Sequence, residues 1–321
     1  MLVMKFKVDF GMEKHIRRAL ITGISGFVGR HLQDQLLHAG WLVYGFDIRP
    51  AGENVFVGDL SDRVVLTRAV VDCQPDTVFH LAGIIKSVNS EAYYRSNLFG
   101  TLNLLDAIMQ MEKRPKVVLA SSSAVYGLIK NSRPITERSV LHPVTEYAVS
   151  KIAQETAALR YNYAFGLPVI IARMFNLLGP GQSPDMACSA FARQIALAET
   201  SDQTEIVTGN LDSRRDFVDV RDAVRASVML AEIGKAGQVY NVCSARAVTI
   251  QQCLDAMMSM SIKQLSITVD ESRVQKNDVP VQVGSFHKLH KTTGWNPQIS
   301  LRQSLSDMLA DWRERVKVES K

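Results

Sequence analysis

No stretch of this chain approaches the roughly 18 consecutive apolar residues of a membrane span, and no secretory leader with a small-residue cleavage site stands at its start. A soluble, cytoplasmic protein without a membrane partner is expected. Cysteine is scarce. The four present, Cys73, Cys188, Cys243 and Cys253, form no CxxC or histidine-paired set, so neither a zinc site nor a disulfide framework is indicated. Reduced thiols and no metal are expected. Aromatic residues make up only 7%, and 37 Lys and Arg are interleaved with 32 Asp and Glu for a net charge of +5. With no aromatic-basic platform, nucleic acid is not an expected partner. A mildly basic enzyme handling polyanionic diphosphates fits better. Repeats and low-complexity segments are absent as well. At 46% hydrophobic and 21% charged, 321 residues can bury one large core or two coupled lobes.

Apolar strands alternate with amphipathic helices, the pattern of βαβ units in a parallel sheet. The strand-like runs are Ala19 to Thr22, Leu42 to Phe46, Thr77 to Leu81, Val117 to Ala120 and Val169 to Ala172, with helices expected near 27–39, 61–73, 93–111 and 145–165. After Asn176 the rhythm shortens, with Pro180, Gly181 and Pro184 marking the entry to a second lobe. The expected organisation is an N-terminal extension over 1–16, a nucleotide domain over 17–175 with returns near 216–242, and a mainly substrate-binding lobe over 176–321. Val218 to Val220 and Val239 to Val242 are the segments expected to return to the nucleotide sheet. Met257, Met258 and Met260 read as one core helix face.

Between the first strand and first helix lie Gly23, Gly26 and Gly29. Glycines there let backbone approach a pyrophosphate, and the helix N-terminus attracts it. The spacing is GxxGxxG rather than GxGxxG. Asp47, eighteen residues beyond the last glycine at the end of the second strand, stands where a carboxylate meets an adenosine ribose 2′-OH. Tyr147 and Lys151 are four residues apart on a predicted helix and so share a face. A phenol with an ordinary pKa near 10 is a poor proton donor at neutral pH, but a neighbouring cation favours the phenolate and brings it toward the working range.

Together, GISGFVG, YAVSK and the serine cluster Ser121, Ser122, Ser123 resemble the extended short-chain dehydrogenase/reductase family, which modifies nucleotide-diphosphate sugars. The resemblance runs from about Arg18 to about Val316 and includes Gly58 to Leu60, His80 to Gly83, Asn97, Arg173 to Gln182 and Arg215 to Asp222. It implies an α/β fold: a Rossmann-type doubly wound parallel sheet with a smaller C-terminal α/β substrate lobe. It implies NAD(H) or NADP(H) held by Gly23, Ser25, Gly26, Phe27, Val28, Gly29, Asp47, Arg49, Asp59, Leu60, Leu81, Ala82, Gly83, Asn97, Tyr147 and Lys151. Asp47 disfavours a 2′-phosphate and Arg49 could accommodate one, which favours NAD(H) slightly. Catalysis would fall to Ser122, Tyr147 and Lys151, with Ser122 polarising a substrate carbonyl. Lys86, Ser122, Ser123, Asn176, Arg215 and Arg273 are the candidate substrate contacts. For Lys86 a solvated loop is the alternative, for Asn176 a turn, and for Arg215 a surface ion pair with Asp216 or Asp219. His80 is expected to be structural.

In the related 4,6-dehydratases the two positions after the serine include an acid and a base; here they are Ser123 and Ala124, which lack a carboxylate. The segment Asp278 to Pro297 and the helix containing Trp312 resemble the branch acting on GDP-linked 6-deoxy-4-keto sugars. A nucleotide-sugar 4-keto reductase is therefore expected, with a nucleotide-sugar 4-epimerase as the alternative and a non-catalytic cofactor-binding protein behind it. A homodimer is expected too. Leu98, Leu102 and Leu105 form a stripe that faces either a partner or the chain's own sheet.

Overall fold

Strand β1 (Arg18–Thr22) runs into the glycine loop, and helix α1 (Phe27–His38) begins directly behind it. Glycine is required there by close approach: a Cβ on Gly29 would lie 2.2 Å from the Gly23 carbonyl oxygen. The computed structural model describes residues 16–128, 133–273 and 279–319. Residues 1–15, nearly all of the expected extension, lie outside the described residues. From α1 the chain continues through β2 (Leu42–Asp47), β3 (Val55–Val57), α2 (Arg63–Cys73), β4 (Thr77–His80), α3 (Ser90–Tyr93), a π-helical turn (Tyr94–Phe99) and α4 (Gly100–Met109). Next come β5 (Lys116–Ser122), a 3-10 turn (Ser123–Tyr126), α5 (Glu146–Phe165), β6 (Val169–Met174) and β7 (Asn176–Leu178). The remainder is α6 (Ala187–Glu199), β8 (Glu205–Thr208), β9 (Arg214–Asp219), α7 (Val220–Ile233), β10 (Val239–Val242), β11 (Ala247–Thr249), α8 (Ile250–Met258), β12 (Ser266–Val269), β13 (Val281–Gln282), α9 (His287–Thr293) and α10 (Leu301–Glu319).

Seven parallel strands form the main sheet in the order β10-β6-β5-β4-β1-β2-β3. The order reverses between β1 and β4, which opens a crevice at the carboxyl ends of those strands. Both faces are covered. Leu66, Leu104, Ile108 and Ala158 of α2, α4 and α5 pack on one side, and Leu32, Leu36, Val224 and Val228 of α1 and α7 on the other. All six residues of β6 are buried, as a strand covered on both faces demands. The fold is thus a doubly wound parallel α/β sheet with a smaller lobe. That lobe's core joins Phe191, Ile195, Leu254, Met257, Leu309 and Trp312 from α6, α8 and α10.

The five expected strands lie within two residues of their observed ends, while β3 is an additional short edge strand. The helix expected over 93–111 is instead three pieces, because the π-helical turn adds a residue and shifts the face presented to the core. Val218 does not return to the main sheet. It lies in β9, which pairs with β7, β11 and β13 in the second sheet. The return is made by α7 and β10, the latter in register with β6 from Val239↔Ile171 to Val242↔Met174. Of the leucine stripe, Leu105 is fully buried and Leu102 packs against the same core, whereas Leu98 is half-buried in the π-helical turn and outside that cluster.

Candidate active site

Helix α5 begins at Thr145, whose hydroxyl accepts the Ala148 N–H at 3.1 Å, and ends at Gly166 in the left-handed region. That start places Tyr147 in the first turn and Lys151 one turn later. The Ser122 hydroxyl at the end of β5 lies near enough to the Tyr147 phenol to favour its ionised form. Ser122 also caps the 3-10 turn, its Oγ accepting the Ala124 N–H at 3.1 Å. Tyr93 stands beside Tyr147, ring centroids 6.2 Å apart, and its phenol oxygen accepts the Ser87 N–H at 2.7 Å, which fastens the loop after β4.

The electrostatics differ from the expectation that Lys151 lowers the tyrosine. Burial pushes the Tyr147 phenol above its ordinary value, Tyr93 adds to the rise, and only the Ser122 hydrogen bond opposes it. The Lys151 ammonium is turned away onto the Ala120 carbonyl at 2.7 Å. Burial pushes Lys151 itself down to about 8, with Glu155 one turn further on opposing the fall. In the folded protein Lys151 therefore loses its proton more readily than in the unfolded chain, where the value is about 10.4. The buried ammonium costs stability in full below pH 8 and progressively less as pH rises from there toward 10. Lys151→Met should accordingly raise the melting temperature at pH 7 by more than at pH 9.5; a pH-independent difference in thermal denaturation would refute that burial cost.

A second buried layer holds this helix against the sheet. His80 Nδ1 lies 2.7 Å from Thr22 Oγ1 and Nε2 lies 2.7 Å from Thr101 Oγ1. Thr101 donates its one hydroxyl hydrogen to the Asn97 carbonyl, so Nε2 must carry the ring proton and Nδ1 accepts from Thr22. Burial, reinforced by the Lys151 charge, drives His80 down to about 3, which leaves it neutral and structural. Asn97 projects from the π-helical turn, fully buried. Its Oδ1 accepts the Ile84 N–H at 2.9 Å, and its Nδ2 donates to the Ile84 carbonyl and to Ser150 Oγ at 3.1 and 2.9 Å. Ser150 in turn donates to the Tyr147 carbonyl at 2.8 Å. Asn97 thus joins the loop containing Gly83 to the helix of Tyr147.

The glycine loop fits a dinucleotide. Ser25 Oγ is buried at the α1 N-terminus with no hydrogen-bond partner among the described residues, and Gly23, Gly26, Phe27 and Val28 are half-buried around it. Asp47 is buried, one oxygen accepting the Ser25 N–H at 3.0 Å and the other the Arg49 N–H at 3.1 Å. It therefore braces the loop. Arg49 is exposed, Asp59 is exposed and accepts the Ser61 N–H, Leu60 is buried in the core, and Leu81, Ala82 and Gly83 follow β4 at the crevice. No cluster of three metal-ligating side chains occurs among the described residues.

The candidate substrate contacts are more dispersed. Lys86 is exposed, its Nζ 3.7 Å from Asp185 across the cleft. Asn176 donates from Nδ2 to the Asp216 carbonyl at 3.2 Å. Arg215 reaches the carbonyls of Arg214 and Val279. Arg273 ends a short 3-10 turn, and its side chain lies outside the described residues. Ser123 is not free for substrate: it is buried and its hydroxyl donates to Gln282 Oε1 at 3.0 Å. Two residues of the neighbourhood escaped the sequence reading. Gln282 carries no local signal. Glu155 does, because the four-residue step from Tyr147 to Lys151 continues to it; its carboxylate takes both ends of the Arg173 guanidinium at 2.9 and 2.6 Å.

Comparison with known proteins agrees with this geometry. A family model described as GDP-mannose 4,6 dehydratase matches residues 20–308. The GDP-6-deoxy-D-mannose reductase of Pseudomonas aeruginosa is 36% identical, covering 94% of this chain and 99% of its own. The solved structure of RMD from Pseudomonas aeruginosa complexed with NADPH superposes with a TM-score of 0.85 at 35% identity, covering 93% of this chain and 99% of that one. A Thermus thermophilus UDP-glucose 4-epimerase complexed with NAD follows at a TM-score of 0.83 and 27% identity, covering 92% and 99%. This chain belongs to the GDP-mannose 4,6-dehydratase family of extended short-chain dehydrogenases/reductases.

Proposed function

We propose that this protein is a nucleotide-diphosphate-sugar 4-keto reductase acting on GDP-4-keto-6-deoxy-mannose. The observation that carries the reading is the placing of Ser122 at the end of β5 beside Tyr147 in the first turn of α5, with Lys151 one turn behind, at the carboxyl edge of a sheet whose glycine loop fits a dinucleotide. A reduced nicotinamide, when bound, supplies a hydride. Ser122 donates to the ketone oxygen and stabilises the charge that develops there, while Tyr147 delivers the proton that completes the alcohol. The Lys151 ammonium, which donates to the Ala120 carbonyl, is the group we assign to orienting the nicotinamide ribose. Arg215 is the residue we assign to the diphosphate, since a guanidinium suits bidentate binding. Dehydration lacks its acid and base, because Ala124 is apolar and the Ser123 hydroxyl is spent on Gln282.

The same three catalytic residues serve epimerisation, and the likeness to a UDP-glucose 4-epimerase keeps that reading as the second. Incubation with GDP-4-keto-6-deoxy-mannose and NADH, beside GDP-mannose and UDP-glucose without reductant, separates the two. A reductase consumes NADH in step with the keto sugar. Interconversion of either hydroxy sugar with no absorbance change would sink the reductase assignment.

The proposal includes NAD(H) as the favoured cofactor, a GDP-linked substrate, a cytoplasmic setting and a homodimer. No helix among the described residues is long and apolar enough to cross a membrane. Phe99, 56% exposed, and Val149, 38% exposed, offer apolar surface beside α5 for a second subunit. With Asp47 facing the ribose, NADH should support turnover at least as well as NADPH. Asp47→Ala should shift the ratio toward NADPH by removing charge repulsion. A wild-type enzyme strongly preferring NADPH would assign the pocket to Arg49 instead.

A further inference from the structure

Gln282 reaches from β13 of the small lobe into the catalytic turn of the large one. It is 7% exposed, and its carboxamide makes two reciprocal bonds to a single residue: Oε1 accepts from Ser123 Oγ at 3.0 Å and Nε2 donates to the Ser123 carbonyl at 2.9 Å. The orientation of the amide is fixed by chemistry, because a main-chain carbonyl can only accept and must face the NH2 end. Ser123 opens the 3-10 turn whose second residue, Ala124, donates to Ser122 Oγ. The far end of the turn is held as well. Tyr126 donates its hydroxyl to Asn241 at 2.7 Å and accepts from Arg173 at 2.9 Å, and Gly127 passes so close to the next segment that a Cβ would lie 1.6 Å from the His142 carbonyl oxygen. The turn that Ser122 caps is thus clasped at both ends.

We propose that Gln282 is a positioning residue of the active site: by clasping Ser123 through both its hydroxyl and its carbonyl, it fixes the turn that aims the Ser122 hydroxyl at the reacting oxygen. The strand β13 lies in register with β9, Gln282 opposite Arg215. The residue assigned to the substrate diphosphate and the residue that clasps the catalytic turn are therefore neighbours on paired strands. Gln282 acts through Ser123 and touches no reacting atom.

The inference rests on the reductase reading for its kinetic arm only. Gln282→Met keeps length and volume while removing both bonds. It should lower kcat by about 10- to 10²-fold, because misplacement of a catalytic group by about 1 Å costs up to about 10²-fold, and KM should stay unchanged. A second readout needs no substrate. The alkaline titration of Tyr147, obtained as the difference between a protein and its Tyr147→Phe counterpart, should move to higher pH in Gln282→Met, since the Ser122 hydrogen bond holds that phenol down. The other group that acts on the phenol, Tyr93 from α3, is untouched by the change. Ser123→Ala, which leaves the Nε2 bond to its carbonyl in place, should give a smaller shift in the same direction and serves if Gln282→Met does not fold. A lower melting temperature with kcat and titration unmoved would make Gln282 merely structural and overturn the proposal. A raised KM at constant kcat would place Gln282 on the substrate and overturn it too. Failure of the wild type to reduce any keto sugar would remove the reductase reading, while the titration still decides the role of Gln282.

Discussion

Tyr147→Phe should reduce turnover by about 10²- to 10⁴-fold, the usual contribution of a lost general acid, with folding and cofactor binding intact. The change removes one oxygen. The ring keeps its contact with Tyr93 and its place in the first turn of α5, so the backbone bonds of that turn persist. Ser122 loses its neighbour but keeps the Ala124 N–H. Ser122→Ala should cost about 10²- to 10³-fold, one charge-stabilising donor. Both are read as kcat of keto-sugar reduction beside a cofactor-binding titration. Near-normal turnover of Tyr147→Phe would remove the phenol from the mechanism. Because burial raises this phenol, it is protonated through the neutral range and ready to donate. Reduction should therefore hold its rate as pH rises through neutrality, whereas the reverse oxidation, which needs the phenolate, should accelerate with pH.

A larger effect on stability is expected from Glu155→Ala. The Arg173 and Glu155 side chains are only 6% and 4% exposed, so each charge depends on the other in place of water. Removing the carboxylate strands the guanidinium with the Tyr126 hydroxyl and ring. An uncompensated buried charge costs about 3–5 kcal/mol, against a total of about 5–15 kcal/mol for a folded domain. A fall in melting temperature on the order of 10 °C follows. The double variant Glu155→Leu with Arg173→Met leaves no charge behind and should recover most of the loss. A single variant as stable as the wild type would show that the pair is hydrated after all. Loss of Glu155 also removes the group that opposes the fall in the Lys151 pKa, so the remaining enzyme should hold its ammonium less well above neutrality.

The features legible in the sequence were those written in local spacing. Strand runs, the glycine loop and the four-residue step from Tyr147 to Lys151 depend on a few successive residues, and their periods survive folding. Other features depend on residues far apart along the chain. Gln282 lies 159 residues from Ser123, and no pattern at either position announces the pair. The π-helical turn was hidden because one added residue breaks the helical period, and the Gly100 that follows it is tolerated inside a helical pattern. The expected effect of Lys151 on Tyr147 followed from adjacency alone. Adjacency says nothing of where the ammonium points, and in the fold it points to Ala120 while burial governs the phenol. Asp47 reads as a ribose ligand from its place at the end of β2, and the same place lets it brace the Ser25 amide.

The late return of α7 and β10 to the main sheet has a consequence for anyone dividing the gene. Strand β10 is supplied from beyond the small lobe's first helix, α6, yet it covers the edge of β6, every residue of which is buried. A fragment ending near residue 175 would expose that apolar edge with its unpaired amides and carbonyls, a template for self-association. It would also lack α7, leaving Leu32 and Leu36 of α1 without their cover. The lobes are interlaced in the chain, so modules swapped between relatives must carry the segment through Val242 with the nucleotide half.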